Sequence, residues 1–238
     1  MWRPAKSAQK AMKYPAVAAR THKQELHTRG RKRAEDPAAA RRILAAAERH
    51  FASKGLAGAR TDEIAAAAGG NKAMLYYYYG DKQRLHRAVL ENIFRQAMSS
   101  VEHAMPPNAS PRDQLLAFIH GNFDFRARNP HYTQLFLRMM VESRDEVRWL
   151  AKNYLRPAHR RLSRIIERGM RSGQFRRVDS AQTVTSIIGM IAIYFSGATI
   201  QSEIFQTDVL GAEALARRKR AVLDFVNHAL FLSEARVR

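Results

Sequence analysis

Between Thr61 and Leu85 the chain reads TDEIAAAAGGNKAMLYYYYGDKQRL, and few folds accommodate that spacing of stops and starts. Thr61 is a good N-cap, with Asp62 and Glu63 in the first turn, where the helix dipole favours acids. Ile64, Ala65 and Ala68 give a small apolar face suited to close packing. Gly69-Gly70 then ends this helix, because glycine enters the left-handed region at little steric cost. Asn71 can cap a second short helix carrying Lys72, Met74, Leu75 and the tyrosines Tyr76 to Tyr79. Gly80 ends it, and Asp81 can cap a third. The stretch predicts two short helices joined by a tight turn, followed by a longer helix.

Helical signals continue on both sides. Asp36-Pro37 opens a helix to about Lys54, with Ile43, Leu44, Ala47 and Phe51 as its stripe and Gly55 as its stop. Leu85, Val89, Ile93 and Val101 mark the buried side of a helix from about Asp81 to His103. Pro106-Pro107 breaks the chain and is the expected domain boundary. Beyond it, Ser110-Pro111 and Asn129-Pro130 open two further helices. Another is expected from about Asp145 to Ser172, with Pro157 kinking it or marking a late start. Asp179 with Gln182 reads as a capping box for a helix to about Phe205, and a last helix runs from about Gly211 to Ser233. The expected fold is all-α.

The run Val184–Ile200 contains no charged residue. It falls short of the ~20 residues a membrane span needs, and it includes Thr185, Ser186, Gly189, Ser196 and Thr199. Burial between protein surfaces is the favoured reading. The chain contains no cysteine, which excludes disulfides, thiolate metal sites and a cysteine nucleophile. No apolar signal-peptide core stands near the N-terminus, so a cytoplasmic location is expected.

The formal net charge of +20 points to a polyanion partner, nucleic acid ahead of membrane surface. The excess is densest in residues 1–36, with 10 Lys/Arg against 3 Asp/Glu and no sustained apolar periodicity. This reads as a disordered basic arm. It either adds phosphate contacts or is a solvated tail, and Met12 is an alternative start. Two helices joined by a short turn suit the DNA major groove, which is wide enough for one helix.

Here the stretch closely resembles the TetR family of bacterial transcriptional regulators. The resemblance rests on Thr61, Ile64-Ala65, Ala68-Gly69, Leu75-Tyr76, Tyr79 in the place of a phenylalanine, and Lys82, in order. Gly70 departs from the usual valine and loosens the expected turn, and Ala73 replaces a common glycine or proline.

The resemblance implies a three-helix helix-turn-helix DNA-binding domain at 37–97, with the motif at about 60–79. A larger helical domain at 98–238 would bind a ligand and dimerise. It implies a homodimer formed through the last two helices, acting on an inverted-repeat, double-stranded DNA operator. Repression relieved by a small-molecule effector is the family default, with no cofactor and no membrane partner. Lys72, Ala73, Met74 and Tyr77 would face the groove floor. Thr61, Tyr76 and Lys82 match positions that hold phosphate, with Asn71 and Arg60 as further DNA contacts. Tyr79 is expected in the core, and Tyr78 is open. Phe118, Phe123, Tyr132, Phe136, Met139, Tyr154, Met190 and Tyr194 are candidate effector-pocket residues, with His120 and His131 as polar anchors. Core packing suits most of them better.

An enzyme is disfavoured. The chain has no His-Glu-x-x-His pair, no phosphate-cradling glycine loop and no Gly-x-Ser-x-Gly elbow. A non-specific basic nucleic-acid-binding protein is the second reading, favoured by the arm and by the Arg217-Arg218-Lys219-Arg220 run.

Overall fold

The computed structural model describes residues 36–106 and 108–232. The expected arm at 1–36, apart from Asp36, and the end of the last helix at Ser233 lie outside the described residues. The chain divides into two units, Met1–Ala38 and Ala39–Arg238. In the first, the Asp36 carboxylate accepts from the Ala38 N–H at 2.8 Å.

The described residues form helices and no strand. In chain order these are α1 Pro37–Gly58, α2 Thr61–Ala67, α3 Lys72–Tyr79, α4 Lys82–Ala104, α5 Pro111–Arg128 and α6 Pro130–Glu142. They continue as α7 Arg144–Leu150, a π-helical turn Ala151–Leu155, α8 Arg156–Arg171, α9 Ser180–Ser196, α10 Ala198–Phe205 and α11 Ala212–Leu230.

Four expected starts are made by the side chains the sequence offered. Asn71, Asp81 and Ser110 accept from the N–H three residues on, and Asp179 accepts from Ala181 and Gln182. The α2 start differs from expectation. Arg60 is the N-cap, with no side-chain cap bond, and Thr61 lies inside the first turn and is buried. Thr61 is drawn into the packing because the next buried residue, Ile64, is three positions on and shares its face.

Two long helices expected from the sequence are each broken. The span ending at Arg171 contains a π-helical turn just ahead of Pro157. Proline has no N–H to give to the preceding turn, and the widened turn absorbs the mismatch. The span ending at Phe205 bends by 72° between α9 and α10 at Gly197, where the Gln201 side chain donates to the Tyr194 carbonyl and to the Ile193 carbonyl, which also accepts from the Gly197 N–H. Among the described residues, no single helix is long and apolar enough to cross a membrane.

The apolar side chains form two cores. The first gathers Ile43, Phe51, Ile64, Leu75, Leu85 and Phe94 of α1–α4, and also Tyr132, Leu135 and Met139 of α6. The second gathers Phe118, Ile119 and Phe123 of α5 with Leu162, Ile166, Ile187, Val222 and Val226 of α8, α9 and α11. α4 runs through both, contributing Phe94 to the first and Val101 to the second. It therefore carries the short helices α2 and α3 on the same rod that anchors α5.

Candidate nucleic-acid interface

α2 ends in a Schellman turn. The Gly70 N–H bonds the Ala65 carbonyl at 2.9 Å, and the Gly69 N–H bonds the Ala66 carbonyl at 3.0 Å. Gly69 sits at φ 67, the left-handed conformation this turn needs. Gly70 is not strained, and a Cβ there would only touch the Met74 sulfur at 3.4 Å. The turn closes without the valine of the family pattern.

Asn71 then starts α3, its side chain accepting from the Met74 N–H at 3.0 Å. Leu75 is fully buried and pins the helix to the first core, with Met74, Tyr78 and Tyr79 packed at its edge. The Tyr79 hydroxyl donates to the Ala40 carbonyl at 2.8 Å, tying the end of α3 to α1. Tyr79 thus packs as expected, with a polar anchor that a phenylalanine would lack.

The opposite side of α3 is open. Asn71, Lys72 and Ala73 are exposed, and Tyr76 and Tyr77 are 44% and 61% exposed. Tyr77 meets Tyr78 edge to face at 5.3 Å, which stiffens both rings. The exposed phenols stand beside the ammonium of Lys72 at the helix start. They supply donors and flat apolar area to a groove.

The remaining predicted contacts surround α3 less directly. Arg60 is exposed and pairs with Asp62 at 3.0 Å, which raises the pKa of the guanidinium and lowers that of the carboxyl. Lys82 is half-buried, its Nζ donating to the Ala57 carbonyl at 3.1 Å. Thr61 is only 9% exposed.

Sequence reasoning missed the clamp on α1. At Gly55 (φ 70) the helix is interrupted. Arg138 of α6 donates to the Ala52 carbonyl at 2.9 Å and to the Ser53 carbonyl at 2.5 Å, and Glu142 accepts from the Leu56 N–H at 3.4 Å. His86 of α4 and Glu146 of α7 meet at 2.9 Å, with the edge of Phe51 against the imidazole. Gly55 signalled the break, but no local pattern signals a partner 86 residues away.

The candidate effector residues fall into two groups. Tyr132, Phe136 and Tyr154 surround Phe94 in the first core, and Met139 belongs to that core as well. Phe118, Phe123 and Met190 belong to the second, where Tyr194 lies against Phe123 and Phe195. Tyr194 is buried, donates to the Val209 carbonyl at 2.7 Å, and has its pKa raised by burial. His120 is exposed, its pKa lowered by partial desolvation and then by Lys219. The His131 Nδ1 is buried without a hydrogen-bond partner among the described residues.

Sequence profiles agree with this geometry. Residues 43–89 match the family model described as bacterial regulatory proteins, tetR family, and residues 111–226 match the tetracyclin repressor-like C-terminal domain. The chain belongs to the TetR family.

Solved structures of transcriptional regulators share the fold. A tetR-family regulatory protein from Rhodococcus is 23% identical, with a TM-score of 0.64 covering 80% of this chain and 97% of that one. A TetR family transcriptional regulator from Thermus thermophilus is 22% identical, with a TM-score of 0.64 covering 79% and 97%. A ketosteroid transcriptional regulator of Mycobacterium tuberculosis is 16% identical, with a TM-score of 0.63 covering 81% and 96%. At these identities the likeness is one of fold. No curated protein matches the chain. Membership in the TetR family makes this protein a DNA-binding transcriptional regulator, and that family is not one of enzymes.

Proposed function

We propose that the protein is a cytoplasmic, effector-responsive repressor that binds an inverted-repeat operator as a homodimer. The observation that carries the DNA reading is the outer face of α3, where Lys72, Ala73, Tyr76 and Tyr77 stand clear of a helix pinned by buried Leu75. Lys72, Ala73, Met74 and Tyr77 read the groove floor, while Tyr76, Lys82, Asn71, Arg60 and the α2 start at Thr61 hold the backbone. Selection of bound DNA from a random pool at physiological salt should recover an inverted repeat. No recovered motif would favour the non-specific binder instead. Lys72→Ala should relax preference at one base pair by about 1–3 kcal/mol, and Lys82→Ala should weaken all sequences alike.

The dimer reading rests on α9–α11. Ile193, Ile200, Ile204, Phe205 and Phe225 are each at least 60% exposed. Full burial of such a side chain contributes ~1.5–3 kcal/mol, and large apolar side chains left exposed on successive helices fit an interface. A Cβ at Gly189 would meet nothing within 4 Å, which leaves room for a second helix. Phe205→Arg should convert a dimer to a monomer in sedimentation and weaken operator binding together with it.

The effector reading rests on Arg126. It is 6% exposed, donates to Asn122 at 3.1 Å, and stacks over the Tyr132 ring at 4.8 Å. No carboxylate pairs with it among the described residues, and burial lowers its pKa. A buried cation of this kind is costly without a counter-ion. It fits an anionic effector lying against Tyr132, Phe136 and Tyr154. Ligand and operator must then oppose each other by the same factor. A carboxylate that binds near Arg126 and leaves operator affinity unchanged would refute this.

A further inference from the structure

Each chain carries a net charge of +20 and one recognition helix, and α8 contributes six arginines against one carboxylate. Arg156, Arg160, Arg164 and Arg171 are exposed on α8, and Arg176 and Arg177 are exposed just beyond its end. At about 100° per residue the four helical arginines share the side opposite Leu162, Ile165, Ile166 and Gly169, which are buried. Over 15 residues at ~1.5 Å each they span about 22 Å, some six base pairs of duplex.

None of these six forms an ion pair among the described residues. The neighbouring arginines behave differently. Arg161 pairs with Glu102 at 2.8 Å, and Arg168 donates to Gln114. Glu167 is the single carboxylate on α8 and accepts from Ser180 at 3.2 Å. The basic run on α11 is partly consumed by the fold as well. Lys219 pairs with Asp124 at 2.8 Å, and Arg218 donates to the Met190 carbonyl and lies over the Tyr194 ring. The α8 stripe is therefore a basic surface whose six arginines form no ion pair among the described residues.

We infer that this stripe is a second DNA-backbone surface, which holds a stretch of duplex other than the one under α3. Charge complementarity selects a polyanion. Membrane is disfavoured by the absence of any exposed large apolar side chain between Val141 and Ile193, since a surface-lying helix needs an apolar face to insert. α8 packs chiefly on α5 and α9, so its free side does not belong to the α1–α3 group. The surface recognises phosphate without base preference and lets one regulator bridge two DNA segments.

The test uses full-length protein and two 30-base-pair duplexes of unrelated random sequence, each with a different fluorophore. Energy transfer between them reports bridging, and a KCl titration of one duplex reports phosphate contacts. Wild type should bridge. The triple variant Arg156→Ser/Arg160→Ser/Arg164→Ser should lose bridging at least tenfold. Its salt slope should fall by roughly 0.9 for each phosphate contact removed. Residues 1–35 are unchanged in every variant, so any contribution they make cancels. The corresponding Arg→Lys triple should bridge like wild type, which separates loss of charge from loss of fold. Undiminished bridging by the serine variant, no bridging by wild type, or failure of the lysine variant would each overturn the inference. So would uptake of wild type by phosphatidylglycerol vesicles without bridging, which would assign the stripe to membrane.

Discussion

Asn71 stands where helix capping and DNA contact meet, and two substitutions separate the roles. Its side chain accepts from the Met74 N–H at 3.0 Å and is otherwise exposed at the start of the eight-residue α3. Asn71→Ala removes the cap, at a cost of about 1 kcal/mol. In a chain of this size that lowers Tm by roughly 2–4 °C. DNA affinity should fall by no more than about fivefold, the cost of ordering a frayed first turn. Asn71→Asp keeps the cap, because aspartate caps about as well as asparagine, and the helix N-terminus favours its charge. Its Tm should match wild type. In the proposed interface, however, the new carboxylate faces phosphate. Two like charges 4 Å apart repel by about 1 kcal/mol in bulk water and about 4 at a protein surface. Affinity should therefore fall at least fivefold, and most at low salt. Thermal unfolding and fluorescence anisotropy with labelled duplex measure the two quantities. An aspartate variant as destabilised as the alanine variant would refute the capping argument. One that binds DNA like wild type would remove Asn71 from the interface.

Three further predictions concern stability. Gly169→Ala should destabilise the second core, because its Cβ would meet the Phe175 ring at 2.2 Å. Overpacking costs ~1–3 kcal/mol against ~1 gained in helix propensity, so a higher Tm would refute the contact. Glu48 has its pKa raised, first by burial, against the lowering effect of His131 and Arg49. A raised carboxyl pKa favours the folded state at acid pH and loses that advantage as pH rises through the folded value. Glu48→Gln should therefore raise Tm at pH 7 and converge with wild type toward pH 4, as thermal unfolding across that range would show. Arg126→Met should keep or raise Tm, since a buried charge without a counter-ion is replaced by an apolar chain of similar length. A large fall in Tm would mean that Arg126 is structural.

Much of the helix-turn-helix could be read from the sequence, because its determinants close within a few residues. Asn71 and Asp81 bond the N–H three positions on, and the Gly69-Gly70 turn bonds back into α2. Such contacts need only the local chain, so composition and spacing reveal them. The all-α class follows from the same signals repeated at Ser110 and Asp179. The four tyrosines show where that reach ends. They are spelled alike, but Leu75 sets the rotation of α3 against the first core, leaving Tyr77 outermost and turning Tyr79 toward Ala40. Thr61 reads as a cap and is packed away, because burial of the face it shares with Ile64 decides its position. The π-helical turn lies just ahead of Pro157, where the sequence already placed a kink, but the bend at Gly197 answers to packing between distant helices. The Arg138 clamp on the broken end of α1 and the division of the aromatic residues between two cores do so as well. Free energy from such contacts depends on which faces meet, and a one-dimensional pattern says only which faces exist.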